Sequence, residues 1–231
     1  MGRFNNVTIG DTYMQDEGFA LASKTIGFPT VKTKSVSIPL RDGDLDLTDV
    51  LSNRPHYGNR ELTLNMNSIS RPKIAKMTEL ANLIHGQKAK IIFDDDLAYY
   101  YYGRLTLDKF KEYKLGGEYT VKADCDPFKY TIQDSADDWL WDPFDFDEGY
   151  INDLGSLTVD GTLSVTLIAD EQLTYATITT DAAVTVTYNG TTVSCPIGST
   201  TLYDFEFERG DNVITITGQA TVSISYRGGK I

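Results

Sequence analysis

The spacing of apolar residues changes several times along the first half of the chain. In Arg60-Glu61-Leu62-Thr63-Leu64-Asn65-Met66, Leu62, Leu64 and Met66 alternate with polar residues, the period of a strand with one buried face. From about residue 72 to residue 85 the spacing becomes helical, with Ile74, Met77, Leu80, Ala81 and Ile84 forming one stripe. Ser70 offers a cap, Pro72 is tolerated in a first turn and Gly86 stops the helix. A stripe of this kind buries several side chains at roughly 1.5–3 kcal/mol each, which predicts a helix packed on a sheet and not a free one. Strand-type runs follow at residues 89–93, 99–106 and 118–123, and an earlier one lies at residues 31–38.

The second half reads as strand after strand. Asn189-Gly190 stands between Val184-Thr185-Val186-Thr187-Tyr188 and Thr191-Thr192-Val193-Ser194-Cys195, the strongest short-range hairpin signal. Residues 163–168, 175–180, 201–207, 213–217 and 220–226 supply further short β-rich runs, separated by Gly, Asp and Asn. The predicted fold class is mainly β: a β-sandwich-like first domain carrying one α-helix, then an all-β sandwich of two sheets.

Charge locates the junction between them. Residues 1–133 hold 18 Lys and Arg against 17 Asp and Glu, net +1, whereas residues 134–231 hold 3 against 16, net −13. The break falls near Asp134-Ser135-Ala136-Asp137-Asp138 and predicts domains at 1–133 and 134–231. The acidic half repels phosphate backbones, so sequence-independent nucleic-acid binding by it is disfavoured. No apolar run approaches the roughly 18 residues of a membrane helix, and the first six residues lack the apolar core of a secretory signal. The expectation is a chain that stays in the cell making it.

Candidate chemistry is sparse. His56 lies in a predicted turn and His85 closes the helix, and neither has a Ser or Cys motif to serve. Asp42-Gly43-Asp44-Leu45-Asp46 begins like a calcium loop, but Leu47 takes the place of its glycine and Asn53 that of its bidentate glutamate, so a solvated turn is expected. Asp94-Asp95-Asp96 after an apolar strand predicts a charged hairpin loop whose carboxylates diverge. Cys125 and Cys195 have no CxxC or His spacing nearby and are expected as buried free thiols. No catalytic residue, metal site or cofactor is assigned.

Two aromatic clusters are candidate interaction residues. Tyr99, Tyr100, Tyr101 and Tyr102 place rings on both faces of a strand. Such a strand is either covered on both sides, by its own core and by a partner or loop, or half exposed. Trp139 and Trp141, in Asp138-Trp139-Leu140-Trp141-Asp142, stand at the domain junction, where they pack the domains together or form an exposed sugar or protein site.

Several segments occur in an order that resembles the distal tail proteins of siphophages. They are Arg41-Asp42-Gly43-Asp44-Leu45-Asp46-Leu47-Thr48, Tyr57-Gly58-Asn59-Arg60-Glu61-Leu62-Thr63-Leu64, the helix, Tyr102-Gly103-Arg104-Leu105, and Ala123-Asp124-Cys125-Asp126-Pro127-Phe128-Lys129-Tyr130. Arg209-Gly210-Asp211-Asn212-Val213-Ile214-Thr215-Ile216 and Val222-Ser223-Ile224-Ser225-Tyr226-Arg227 are similar to the closing strands of that family's galectin-like domain. The resemblance implies a non-enzymatic hub made in the host cytoplasm and placed at the virion's tail tip. It further implies a homo-hexameric ring joining the tail tube protein to a tail-associated lysin-like tip protein, with a receptor-binding protein as a peripheral partner in some members. A carbohydrate-binding module is the competing class, since a β-sandwich with Trp, Tyr and Asp can stack and hydrogen-bond a sugar. A hydrolase is the weaker rival, any two acids being able to meet in space.

Overall fold

In a computed structural model the chain is described at residues 6–48, 50, 55–68, 73–137, 154–169, 172–173 and 175–231. Its backbone divides into two compact units. The first comprises Met1–Asp95, Tyr101–Pro127 and Ile231, and the second Asp96–Tyr100 and Phe128–Lys230.

The first unit contains β1 (Val7–Ile9), β2 (Thr12–Tyr13), β3 (Ala20–Ile26), β4 (Ser35–Val36), β5 (Leu45–Asp46), β6 (Arg60–Ser68), helix α1 (Lys73–Ile84) and β7 (Lys88–Phe93). Most of β8 (Asp96–Glu112) and all of β9 (Gly117–Cys125) also belong to it. Strands β3, β6, β9, β8, β7, β1 and β2 lie side by side in that order. The alternation read in β6 is the structural one: Leu62, Leu64 and Met66 are fully buried, facing Tyr119, Val121 and Ala123 of β9. Leu80 and Ile84 of α1 close this core with Val7, Phe19, Ile91, Phe93 and Leu105. Gly86 ends the helix at φ 78°, and its N–H donates to Leu105 O at 2.8 Å while Leu105 N–H donates to Gln87 O.

Two expectations for this unit need correction. Ile74 is 65% exposed, so the buried stripe starts at Met77. Apolar spacing identifies the inner face of a helix, but not how far along its length the sheet reaches. Ser70 and Pro72 lie outside the described residues. The run at residues 31–38 is not one strand: Val31 makes an isolated bridge to Tyr57, and only Ser35–Val36 pairs, with Leu45–Asp46. Every residue from 31 to 44 is exposed, so no buried face rewards regular alternation there.

The second unit holds β10 (Lys129–Thr131), β11 (Leu157–Ala169), β12 (Gln172–Leu173), β13 (Thr177–Thr180), β14 (Val184–Tyr188), β15 (Thr191–Cys195), β16 (Gly198–Thr201), β17 (Gly210–Ser225) and β18 (Gly228–Lys230). One sheet runs β15-β14-β17-β13-β16, and β11 pairs along the first part of β17, from Leu157↔Val222 to Ala169↔Gly210. The first residues of β8 pair with β10, β10 with β18, and β18 with β12. Val159, Leu167, Ile178, Val186, Ile214, Ile216, Val222 and Ile224 form its core with Tyr188, Phe205 and Phe207. At the predicted hairpin Asn189 and Gly190 have φ of 46° and 81°, the two positive angles of a type I′ turn.

Here too the sequence reading shifts in places. The runs at 213–217 and 220–226 merge into β17, because Gly218 meets Gly161 of β11 in register and the ladder passes through both glycines. The run at 201–207 ends as a strand at Thr201; Leu202, Phe205 and Phe207 are buried from non-strand backbone, their spacing following the core and not a ladder. Asn212 is buried there and fully used: its Oδ1 accepts from Tyr188 Oη at 2.6 Å and from Glu208 N–H at 2.8 Å, and its Nδ2 donates to Glu208 O and Gly210 O.

Candidate functional site

The tyrosine run divides between the units: Tyr99 and Tyr100 count with the second, Tyr101 and Tyr102 with the first. In the second, the Tyr100 ring lies 5.9 Å from that of Tyr130, and the Lys129 ammonium sits 4.2 Å over Tyr99. In the first, Tyr101 packs edge-on to Phe93 at 5.9 Å, with the Arg60 guanidinium 5.4 Å above it, and Lys88 lies 4.6 Å over Tyr102. Tyr99, Tyr100 and Tyr101 are buried and Tyr102 is half-buried. Cations from within each unit thus lie against the rings of Tyr99, Tyr101 and Tyr102. Trp139 and Trp141 lie outside the described residues.

The three aspartates diverge as their spacing predicts. Asp94 accepts from Tyr13 Oη at 2.8 Å and from Asn6 N–H at 3.0 Å, Asp95 pairs with Lys24, and Asp96 pairs with Lys129 at 2.7 Å. Asp42, Gly43 and Asp44 form an exposed turn between β4 and β5. Among the described residues no group of three His, Cys, Asp or Glu is placed to hold a metal ion, and no helix is long and apolar enough to cross a membrane. His85 Nδ1 accepts from Leu107 N–H at 3.1 Å, tying the helix end to β8. Cys125 and Cys195 are buried and free. Burial, with Asp124 and Asp126 alongside, pushes the Cys125 thiol up to about 12, and burial also raises Cys195, so both resist forming the thiolate a nucleophile needs.

The most exposed apolar surface was not singled out from sequence. Between β3 and β6 the chain leaves the sheet as a two-stranded arm. Its base is tied by Gly27 N–H to Glu61 O at 2.9 Å, Gly58 N–H to Thr30 O at 2.7 Å and Lys32 N–H to His56 O at 2.8 Å, and further out Leu47 N–H donates to Lys34 O. The arm displays Phe28, 87% exposed, and Leu40, fully exposed, together with Val31, Val36, Ile38 and Val50. Leu40 also holds φ 67°, a conformation that costs an L side chain roughly 1 kcal/mol. An apolar side chain both strained and solvated gains nothing in an isolated chain. Charge is balanced along the arm, with Lys32, Lys34 and Arg41 leading into the turn and Asp42, Asp44 and Asp46 leaving it. The available sequence signal was Pro29, Pro39 and Pro55 punctuating a stretch of apolar residues that cannot run as one regular strand. A set of exposed apolar side chains of this kind suits contact with another macromolecule.

Sequence comparison finds no matching family model and no matching curated protein. Among solved structures, the SPP1 Dit protein, described as a paradigm of the hub adsorption apparatus in phages infecting Gram-positive bacteria, superposes with a TM-score of 0.61 over 99% of this chain and 100% of its own. This chain has the Dit hub fold. Identity with SPP1 Dit is 13%, so the likeness lies in backbone path and not in conserved side chains. Two structures of the phage P2 baseplate in its activated conformation, with Ca and with Sr, align over 97% and 98% of the chain and 98% of their own, each at 8% identity and a TM-score of 0.39. Of these three, it is the Dit superposition that establishes the fold. It matches the mainly β architecture with one helix among the described residues.

Proposed function

We propose that this protein is a structural, non-enzymatic hub of a siphophage tail tip. In this reading six copies form a ring that joins the tail tube protein to the tip protein and offers peripheral surfaces to a receptor-binding protein. The first unit builds the ring, and the second, a galectin-like sandwich, supplies its periphery. The observation that carries the reading is the Dit fold extending over nearly the whole of both chains. Tyr99, Tyr100, Tyr101 and Tyr102 serve it as stiffening within the subunit. The protein is made in the host cytoplasm and resides in the virion.

A cyclic ring uses a heterologous contact, so each copy presents two different patches, each burying on the order of 800 Å². The arm is the best candidate for one of them. Its apolar residues are exposed, its three basic and three acidic residues balance, which suits a nearly neutral surface, and residues 1–133 carry a net charge of only +1. The net −13 of residues 134–231 opposes crowding of the second units and favours spacing them apart, an effect that salt weakens.

Light scattering and negative-stain imaging of the full chain test the reading. A sixfold ring is expected at high concentration. Phe28→Asp combined with Leu40→Asp should return monomers at an unchanged melting temperature, because both side chains are solvated in the monomer. If the unmodified chain stays monomeric and forms no ring with the tube and tip proteins, the hub reading fails.

A further inference from the structure

The second unit carries an aromatic pair that its own core does not use. Tyr175 and Tyr203 are 61% and 70% exposed, and their rings meet edge-on at 5.1 Å with planes 62° apart. They extend the β13–β16 register: Thr177 faces Thr201, and Leu202 N–H donates to Ala176 O just beyond the ladder. Alternation sends Ala176, Ile178 and Leu202 into the core, so the tyrosines stand on the opposite, outer face.

That outer face is dense in hydroxyls. Below the tyrosines Thr177 Oγ1 and Thr201 Oγ1 pair at 3.1 Å, and next Thr179 Oγ1 and Ser199 Oγ pair at 2.9 Å. On the other side of β13, Ser225 faces Thr177 and Ser223 faces Thr179, so the hydroxyl rows extend onto β17. Each hydroxyl pair uses one proton for two oxygens, leaving a donor and several lone pairs for a ligand. At the edge of these rows Asp134 Oδ2 accepts from Ser225 Oγ at 2.9 Å and lies 3.5 Å from Arg227 Nε.

We propose that Tyr175 and Tyr203, with the hydroxyl rows of β13, β16 and β17, form a binding site for an uncharged glycan. Pyranose rings present an apolar C–H face and an equatorial rim of hydroxyls, which match an exposed aromatic pair beside a strip of Thr and Ser. Electrostatics selects the charge class. With 3 basic residues against 16 acidic ones in residues 134–231, an anionic polymer is repelled, whereas a neutral saccharide is indifferent to that field. Charge also argues against nucleic-acid bases as the stacked groups, since their phosphates meet the same repulsion. The site lies within the second unit alone and does not depend on ring formation.

The test is an array of neutral hexose and N-acetylhexosamine oligosaccharides probed with the full chain, followed by titration calorimetry on the best binder. Binding is expected, with little change between low and high salt. Tyr175→Ala and Tyr203→Ala should each weaken it about tenfold, the effect of losing an aromatic anchor, and the double variant should abolish it. Tyr→Phe at either position should retain most of the affinity. Melting temperatures should not move, so misfolding is separable from loss of the platform. No binding by the unmodified chain, binding only to anionic glycans, or equal binding by the alanine variants overturns the proposal. So does a tail protein that binds this face, losing affinity with Tyr175→Ala, while no sugar binds.

Discussion

Arg60 is 3% exposed, yet its Nε and Nη2 have no hydrogen-bond partner among the described residues. Its guanidinium stacks on Tyr101, and desolvation pulls its pKa down, the sign of a cation whose charge the fold disfavours. Truncation and neutralisation should therefore separate. Arg60→Met, which keeps the length and removes the charge, is expected to leave stability unchanged or raise it by up to about 1–3 kcal/mol, whereas Arg60→Ala loses packing and should lower it. Urea midpoints at constant m-value distinguish them, and equal losses would show that the charge, through its contact with Tyr101, stabilises as much as the packing does. Across the same strands lies Gly103, where a Cβ would meet Asp124 O and Cys125 Sγ at 2.5 Å, so the glycine admits the neighbouring strand. Cys125 carries a pH signature. Its folded pKa of about 12 stands above the ordinary thiol value of 9.0, so the native state holds the proton more tightly. The associated stability is intact below about pH 9 and is lost progressively toward pH 12. Consistent with this, a thiol reagent at pH 8 should modify neither cysteine until denaturant is added; rapid modification of the folded protein would contradict their burial.

Among the elements, α1 shows how a correct period can still misplace energy along a helix. Leu80 is fully buried against the sheet and Ile74 is largely solvated. Leu80→Ala should cost about 2–5 kcal/mol by opening a cavity, while Ile74→Ala should fall within about 0.5 kcal/mol of zero. Thermal melts of the two variants check this, and similar losses would mean that the first helical turn is covered. The arm lies at the opposite extreme, with backbone hydrogen bonds that define its path and side chains that have no core to enter. Its form follows from Gly27, whose Cβ position lies 2.8 Å from Glu61 O, and from the ties at Thr30 and Lys32, not from burial.

At the scale of the molecule, each unit has its own hydrophobic core, one built around β6, β9 and α1, the other around β11, β14 and β17. Among the described residues the second core runs from Leu154 to Tyr226. A fragment of residues 134–231 is therefore expected to melt cooperatively with a β-type circular dichroism spectrum. Starting it at residue 128 should raise the melting temperature, because β10 then pairs with β18 and the Arg227 guanidinium regains the carbonyls of Thr131 and Ile132. A disordered 134–231 fragment, or no gain from the longer one, would show that the unit needs more of the chain than its core implies.

Local rules alone determine much of this protein. The alternation of β6, the helical stripe, the glycine that stops α1 and the Asn189-Gly190 hairpin are short-range consequences of period and turn chemistry, and the ordered motifs were enough to suggest the Dit fold. Burial of Cys125 and Cys195 follows from residue type. What only tertiary structure decides is where an equally plausible apolar residue ends. Leu40 and Leu64 carry the same side chain, but one is fully exposed on the arm and the other is buried facing β9. Tyr175 and Tyr188 both flank β-rich runs, yet one ring is solvated beside Tyr203 and the other packs at 5.1 Å from Phe207 in the core. A side chain's destination depends on which strand, distant in sequence, lies across from it, and long-range register is set by the packing of the whole unit and not by any window of the chain.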